Sequence, residues 1–364
     1  MLLLLRSRDG PSTVLMSGAM ANRRGWYPGG LQMLKTCVTA FVALAVMLTM
    51  TPVSVSAQSG ESTTPMRTPD GQPHISGTFT FRTLTPLQRP LQFEGRESLS
   101  PEEAAAFEAS ERTRQNRDLF DPESGAPTAG YQSREEGGVL SYNEFWYERG
   151  IELTADKRTS LIIDPPNGRR PPQTEAARLA SQAERAYTEA HRYDSYENRT
   201  MTDRCLGTST GGPPLRSGAY NNNLMIFQTA THVVIQNEMA YQVRVIPLDD
   251  TAKPPFAQLK GVSRGHWEGD TLVIDTTNFR ADSSLTGPNL HLVERLTRLD
   301  PDTVAYEYTV MDPTEYTAPF TALMPLRRTD GPIFEYACHE GNIGLHGILA
   351  GARNLERLGR ELRR

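Results

Sequence analysis

Three residues with chemical potential stand side by side near the end of the chain, in the stretch "EYACHEGN" from Glu335 to Asn342. A Cys-His pair can act as a nucleophile and its base, and a His-Glu pair can hold a metal ion. A cysteine can equally form half of a structural disulfide. Which chemistry applies to Cys338, His339 and Glu340 depends on the compartment and on the strands that position them.

A segment from Met33 to Ala57 has the pattern of a secretory signal peptide. Lys35 precedes an apolar run over residues 37–50, and small residues at 55–57 supply a cleavage site. The run is too short to span a bilayer. We therefore predict a signal peptide over residues 1–57 with an extended n-region, in which Met20 and Met33 are alternative starts. The protein is then exported, to the periplasm or the medium.

Removal of residues 1–57 from the 364-residue chain leaves 307 residues, enough for a sizeable core. Residues 58–73 are rich in Ser, Thr, Pro and Gly and predict a disordered leader. The net charge of the whole chain is −5, and the removed piece carries +4, so the remainder carries −9. An acidic chain of this kind is not expected to bind nucleic acid or an anionic membrane.

The chain has three cysteines, and Cys37 leaves with the signal. Cys205 and Cys338 remain as an even pair in a protein bound for an oxidising compartment, which favours a disulfide. That bridge would enclose 132 intervening residues. We predict a Cys205–Cys338 disulfide, with a catalytic thiol and two free buried thiols as the open alternatives.

Sequence patterns in the first half predict three strands and two helices among loops. "HISGTFTFR" (His74–Arg82) alternates apolar and polar residues and predicts a first strand. "SPEEAAAF" opens a helix over about 100–118 with the Ser-Pro-x-Glu order of a capping box. A second helix is predicted over about 174–191. The stretches Val139–Arg149 and Arg158–Asp164 are interpreted as two more strands.

Strand patterns dominate after Tyr220. A three-strand meander is followed by the hairpin "VSRGHWEGDTLVIDTTNF", which turns at Glu268-Gly269-Asp270, and by three further strands. "PIFEYACH" (Pro332–His339) is interpreted as the last strand, and Gly344–Arg363 as a basic amphipathic helix. The short connections predict a mainly β fold. It would be one domain over residues 74–364 with an antiparallel barrel-like or sandwich core and helical insertions on its surface.

Several long motifs carry a family resemblance. "HISGTFTFRTLTPLQRP", "TSLIIDPPNGRRPP", "RGHWEGDTLVIDTTNF" and "RTDGPIFEYACHEGN" resemble those of a family of secreted bacterial proteins of unknown function. The resemblance covers most of the chain beyond His74. It implies common descent and export, and it brings no activity with it.

Alternation along the strands selects polar side chains that would face an interior. Glu294 shares a face with Leu290, Leu292 and Leu296, and Asp275 shares one with Val273. Asn237 lies on the face of Val233, Ile235 and Met239. A carboxylate on an apolar face needs a partner, so the structural interpretation gives Glu294 and Asp275 an Arg partner from Arg244, Arg264, Arg295 or Arg327. The functional interpretation makes each one a pocket acid or base.

Histidines offer a weaker signal. All seven lie beyond the signal peptide, and a metal site could be drawn from His266, His291, His339 and His346. The spacing gives it no support, because His291 and Glu294 are three apart on a strand and point to opposite faces. We predict no metal and no cofactor.

Aromatic residues suggest a ligand pocket. "YNEFWYER" places Tyr142 and Trp146 on one face of a strand, where they would line a cavity or pack in the core. With Asn237 and Trp267 they form the predicted set of ligand-binding residues. The alternative is ordinary core packing.

We therefore expect an exported, soluble, β-rich protein that binds a small, partly apolar molecule. A second hypothesis is a cofactor-free hydrolase, lyase or isomerase, with His339 as base and Glu294 or Asp275 as acid or orienting group. A third is an envelope-associated interaction module. The sequence does not decide whether the chain is an enzyme.

Overall fold

The computed structural model describes residues 66–116, 144–207, 210–249, 252–281 and 287–359, all within a compact unit that spans Thr63–Arg364. The predicted signal peptide and Tyr142 lie outside the described residues. The described residues form ten strands: β1 Gly77–Thr80, β2 Ile162–Asp164, β3 Asn223–Gln228, β4 His232–Asn237, β5 Gln242–Pro247, β6 Val262–Glu268, β7 Thr271–Thr277, β8 His291–Asp300, β9 Thr303–Met311 and β10 Phe320–Arg328. The described helices are α1 Pro101–Gln115, α2 Glu175–His191 and α3 Ile343–Arg357.

Nine of the strands form one antiparallel sheet in the order β5-β4-β3-β1-β10-β9-β8-β7-β6, and β2 adds to β10. Hairpins join most neighbours in this order, as the turn residues between the strands predict. The exception is β1, which lies between β3 and β10, with Phe79 opposite both Leu224 and Arg328. The mainly β, barrel-like fold predicted from the sequence is therefore confirmed.

The sheet curls until its two end strands, β5 and β6, contact each other. Gly265 on β6 makes this approach possible. A Cβ atom at this position would lie 2.8 Å from Leu248 Cδ2, closer than real Cβ contacts allow, and a tight 3.1 Å from Ile246 Cγ2. Because glycine has no side chain, β6 can approach β5 and the sheet nearly closes on itself. This approach covers the edges of β5 and β6, which would otherwise be open.

Alternating residues of the strands fill the interior. On β8 the predicted inward face is confirmed, since Leu292, Glu294 and Leu296 are at most 1% exposed, and Leu290 just before the strand is 2% exposed. On β7 the buried residues at the centre are Leu272, Ile274 and Thr276, with Val273 also covered. The main hydrophobic cluster is therefore enclosed by the sheet, and a smaller one is formed by Leu99, Ala104 and Leu153.

Local signals set the helices. Ser100 and Glu103 form the predicted capping box of α1, with Oγ of Ser100 accepting from the Glu103 N–H. Thr174 caps α2, and Asn342 caps α3. Within the described ranges, no helix is long and apolar enough to cross a membrane.

Two predicted strands are wrong. Pro332–His339 contains no strand, because both edges of β10 are already occupied by β1 and β9. In the other stretch, Val139–Arg149, the described part forms a short 3₁₀ turn at Glu144–Trp146. Its aromatic residues follow a strand-like alternation, but Phe145 and Trp146 are 82% and 62% exposed. Aromatic alternation here marks a surface rather than a core.

Candidate functional site

One ion pair lies among the apolar side chains of the interior. The carboxylate of Glu294 on β8 is fully buried and accepts hydrogen bonds from both Nη atoms of Arg244 on β5. The Tyr306 hydroxyl donates to Glu294 Oε1 over 2.7 Å and accepts from the Leu215 N–H over 3.1 Å. Burial, and after it the charge of Glu294, raises the pKa of Tyr306 well above its ordinary value. The carboxylate is thus fully partnered, and the predicted Arg partner is confirmed for Glu294.

A second cation, Lys260, lies close to this pair. Burial first, and then the charge of Arg244, lowers the pKa of Lys260 to about 8. Neither its buried Nζ nor the buried amide atoms of Gln242 have a hydrogen-bond partner among the described residues. A Cβ at Gly207 would lie 3.1 Å from Lys260 Nζ and 3.2 Å from Gln242 Nε2, so the glycine leaves room for both. A fraction of Lys260 is therefore neutral near pH 8.

Asp275 does not belong to the interior. It lies on the outer face of β7, where its carboxylate contacts His291 Nε2 and lies 3.4 Å from Lys253 Nζ. The predicted Arg partner is wrong for this residue. The reason is the face that β7 buries: Leu272 and Ile274 point inward, so Asp275 points to solvent.

One concave surface lined by aromatic side chains is a cleft of about 640 Å³. We call it the aromatic cleft, and its lining residues are Trp146, Glu148, Tyr220, Asn221, Glu238, Phe334 and Tyr336. Trp146 and Phe334 are 62% and 67% exposed. Large aromatic side chains held open to solvent around one concavity are typical of a binding site.

Two carboxylates lie among these aromatic rings. Glu238 is only 2% exposed, and its partners are neutral: Oε2 accepts from Asn223 Nδ2 over 2.8 Å and Oε1 from the Phe334 N–H over 3.4 Å. The same Asn223 nitrogen donates to Glu148 over 3.2 Å. Glu148 also lies 3.4 Å from Arg82 Nη1 on the surface. The two carboxylates thus share the amide donor of Asn223, and Arg82, which pairs with Glu148 alone, is the one cation among the described residues that contacts either of them.

A disulfide fixes one wall of the aromatic cleft. The predicted bond between Cys205 and Cys338 is present. Asn342 Nδ2, four residues later, donates to the Asp203 carbonyl over 2.8 Å. The bond and this contact tie the segment that carries Phe334 and Tyr336 to the loop after α2. Within "EYACHEGN", Cys338 therefore holds the segment of Phe334 and Tyr336 in place as one wall of the aromatic cleft.

The structure does not bring the three predicted catalytic residues together. His339 is exposed beside the disulfide, and its ring makes no hydrogen bond with Glu294 or Asp275. Glu294 is inside the sheet, and Asp275 is on its outer face. An acid–base role for the three stays a prediction.

The predicted ligand-binding residues fall in different places. Trp146 lines the aromatic cleft. Asn237 is buried in the interior and donates to the Gly211 carbonyl over 2.7 Å. Trp267 packs against the core, where its Nε1 has no partner among the described residues. One of the three described residues thus reaches the cleft.

No protein-family model matches the chain, and no curated protein matches it. In the part of the chain that the structure describes, no three His, Cys, Asp or Glu side chains are grouped as metal ligands.

Sequence reasoning missed most of the aromatic cleft. Tyr220, Glu238, Phe334 and Tyr336 come from three separate connections, so no periodic pattern links them. One available signal was the run "IFEY", which places two aromatic residues, Phe334 and Tyr336, close to Cys338. Lys260 could have been singled out by composition, because it is one of only four lysines in a chain with thirty-four arginines.

Proposed function

We propose that the protein binds a small organic cation with a flat or alkylated body in the aromatic cleft. The single observation that carries the proposal is Glu238, a buried carboxylate with neutral partners at a cleft walled by aromatic rings. A buried charge without a counter-ion is costly, and a bound cation would offset that cost.

The aromatic walls fit the same ligand. A cation held over an aromatic face gains about 0.5–2 kcal/mol, more where water is excluded. Trp146, Tyr220, Phe334 and Tyr336 supply four such faces in a cleft of about 640 Å³, a volume suited to a small molecule. Anions are disfavoured there by the charges of Glu148 and Glu238.

The test is isothermal titration calorimetry with two probes that share a ring and differ in charge, benzyltrimethylammonium and benzyl alcohol. The cation is expected to bind at least tenfold more tightly than the alcohol. Glu238→Gln should remove that preference, and Trp146→Ala should weaken both probes. Phe256→Ala, which removes an equally exposed aromatic ring elsewhere, is the matched control. Equal affinity for both probes, or no saturable binding of either, would refute the proposal.

We also infer that the protein is exported after removal of a signal peptide. Support comes from the signal-like sequence over residues 33–57 and from the Cys205–Cys338 bond, which is typical of an oxidising compartment. Cell fractionation followed by N-terminal sequencing tests this. We expect the mature chain to begin at Gln58 outside the cytoplasm, and a cytoplasmic chain that retains residues 33–57 would contradict it.

A further inference from the structure

A second cleft, of about 460 Å³, has the opposite charge. It is lined by the segment after β1 (Thr83–Leu87), by the segment before β3 (Leu215–Ala219) and by side chains that include Arg170, Arg216 and Tyr308. Arg149 also lines it, and this guanidinium is engaged with Glu144 and the Gln115 carbonyl. No Asp or Glu is among the described lining residues.

Arg170 and Arg216 are unusual among the half-buried and buried arginines. Neither guanidinium makes a hydrogen bond or ion pair with a described residue, and the Nε atom of each is buried without a partner. Arg89 shows the ordinary alternative, since its buried guanidinium donates to Thr159 Oγ1 over 2.9 Å and to the Pro166 carbonyl over 3.0 Å. The N–H donors of two guanidinium groups in one cleft are therefore available to a ligand.

Tyr308 adds a neutral donor at the base of this cleft. It is 3% exposed, and its hydroxyl has no hydrogen-bond partner in the described ranges. Burial raises its pKa to about 12, against the opposing charges of Arg216 and Arg170. The phenol thus stays protonated at neutral pH, and both arginines are near enough to act on it.

We propose that the cleft of Arg170, Arg216 and Tyr308 binds the carboxylate group of a small organic acid. Arginine pairs with a carboxylate through two parallel N–H donors. Leu87 and Leu215 supply apolar wall for the rest of the molecule. This site is separate from the aromatic cleft, which would repel the same ligand.

The experiment compares three probes by isothermal titration calorimetry: benzoate, its neutral isostere benzamide, and sulfate. Benzoate is expected to bind at least tenfold more tightly than benzamide and more tightly than sulfate. Arg170→Gln and Arg216→Gln should each weaken benzoate binding about tenfold or more. Arg295→Gln, which alters an outer-face arginine paired with Glu268, should leave it unchanged.

Three results would overturn the proposal: benzamide binding as well as benzoate, sulfate binding more tightly than benzoate, or both glutamine variants binding like the parent. Melting temperatures show whether the variants fold. If Arg170→Gln does not fold, Arg170→Lys keeps the charge but loses the paired donors, and it should still weaken benzoate binding. Trp146→Ala should leave benzoate binding intact, so this outcome is independent of the proposed cation site.

Discussion

Arg244 and Glu294 form an ion pair across the seam at which the sheet nearly closes. Arg244 is on β5 at one end of the strand order, and Glu294 is on β8, third from the other end. The pair therefore joins strands that share no backbone hydrogen bonds. Arg244 shares a face of β5 with the buried Ile246, so the ion pair and the apolar core select the same inward face of this strand.

Replacement of Glu294 by Gln should lower the free energy of unfolding by about 3–5 kcal/mol, since it leaves Arg244 buried without its counter-charge. Urea denaturation followed by circular dichroism measures this. Asp275→Asn on the outer face is the matched control, with an expected loss below about 1 kcal/mol because its ion pairs are exposed to solvent. Equal losses in the two variants would contradict the assignment of Glu294 to the interior.

Lys260 should make the protein more stable at alkaline pH. Its folded-state pKa of about 8 lies below the ordinary 10.5. Below pH 8 both states carry the proton, and the cost of the buried charge is present in full. Between about pH 8 and 10.5 the folded state releases its proton first, so stability rises by at most about 3 kcal/mol.

Denaturation curves collected across that pH range measure the rise. Lys260→Met removes the titrating group and should flatten the curve in this window, while raising stability at neutral pH. A variant with the same alkaline rise as the parent would show that another group is responsible.

Gly265→Ala should destabilise the protein by about 1–3 kcal/mol, because the added methyl group would press on Ile246 and Leu248 across the seam. The control is Gly344→Ala in α3, where an added Cβ meets nothing within 4 Å. Alanine is preferred to glycine in a helix, so this change should stabilise by up to about 1 kcal/mol. Thermal melts of the two variants should shift in opposite directions.

Loss of the disulfide should weaken both the fold and the aromatic cleft. The double variant Cys205→Ser, Cys338→Ser is expected to lose about 2–5 kcal/mol of stability, since a long loop is no longer closed. Its affinity for benzyltrimethylammonium should also fall, because Phe334 and Tyr336 are no longer held. Dithiothreitol should reproduce both effects in the parent and change nothing in the variant. Two alkylatable thiols in the untreated parent would contradict the bond itself.

The parts of the fold that local patterns encode could be predicted. The β6–β7 hairpin has a two-residue turn between alternating strands, and Ser100 with Glu103 marks the start of α1. The inward face of β8 followed directly from its leucines. Such features depend on residues close in sequence.

Features that depend on distant residues could not be predicted. The strand expected at Pro332–His339 failed because β1 and β9 already occupy both edges of β10, which no local pattern reveals. Asp275 was predicted to face the interior because it shares a strand face with Val273. Near the centre of β7, however, residues on both faces are buried, so a buried Val273 does not show which face points inward. Arg170 and Arg216 lie on separate connections and meet only through the fold.

The position of β1 imposes an order of events during synthesis. The chain is synthesised from its N-terminus, so β1 is made long before β10. The two strands pair with Phe79 opposite Arg328. At translation rates of roughly 5–20 residues per second, β1 waits on the order of ten to fifty seconds for that partner. The pairing of β1 with β10 can thus form only after the last strand of the sheet has been made, and until then the edge of β1 that faces β10 has no partner.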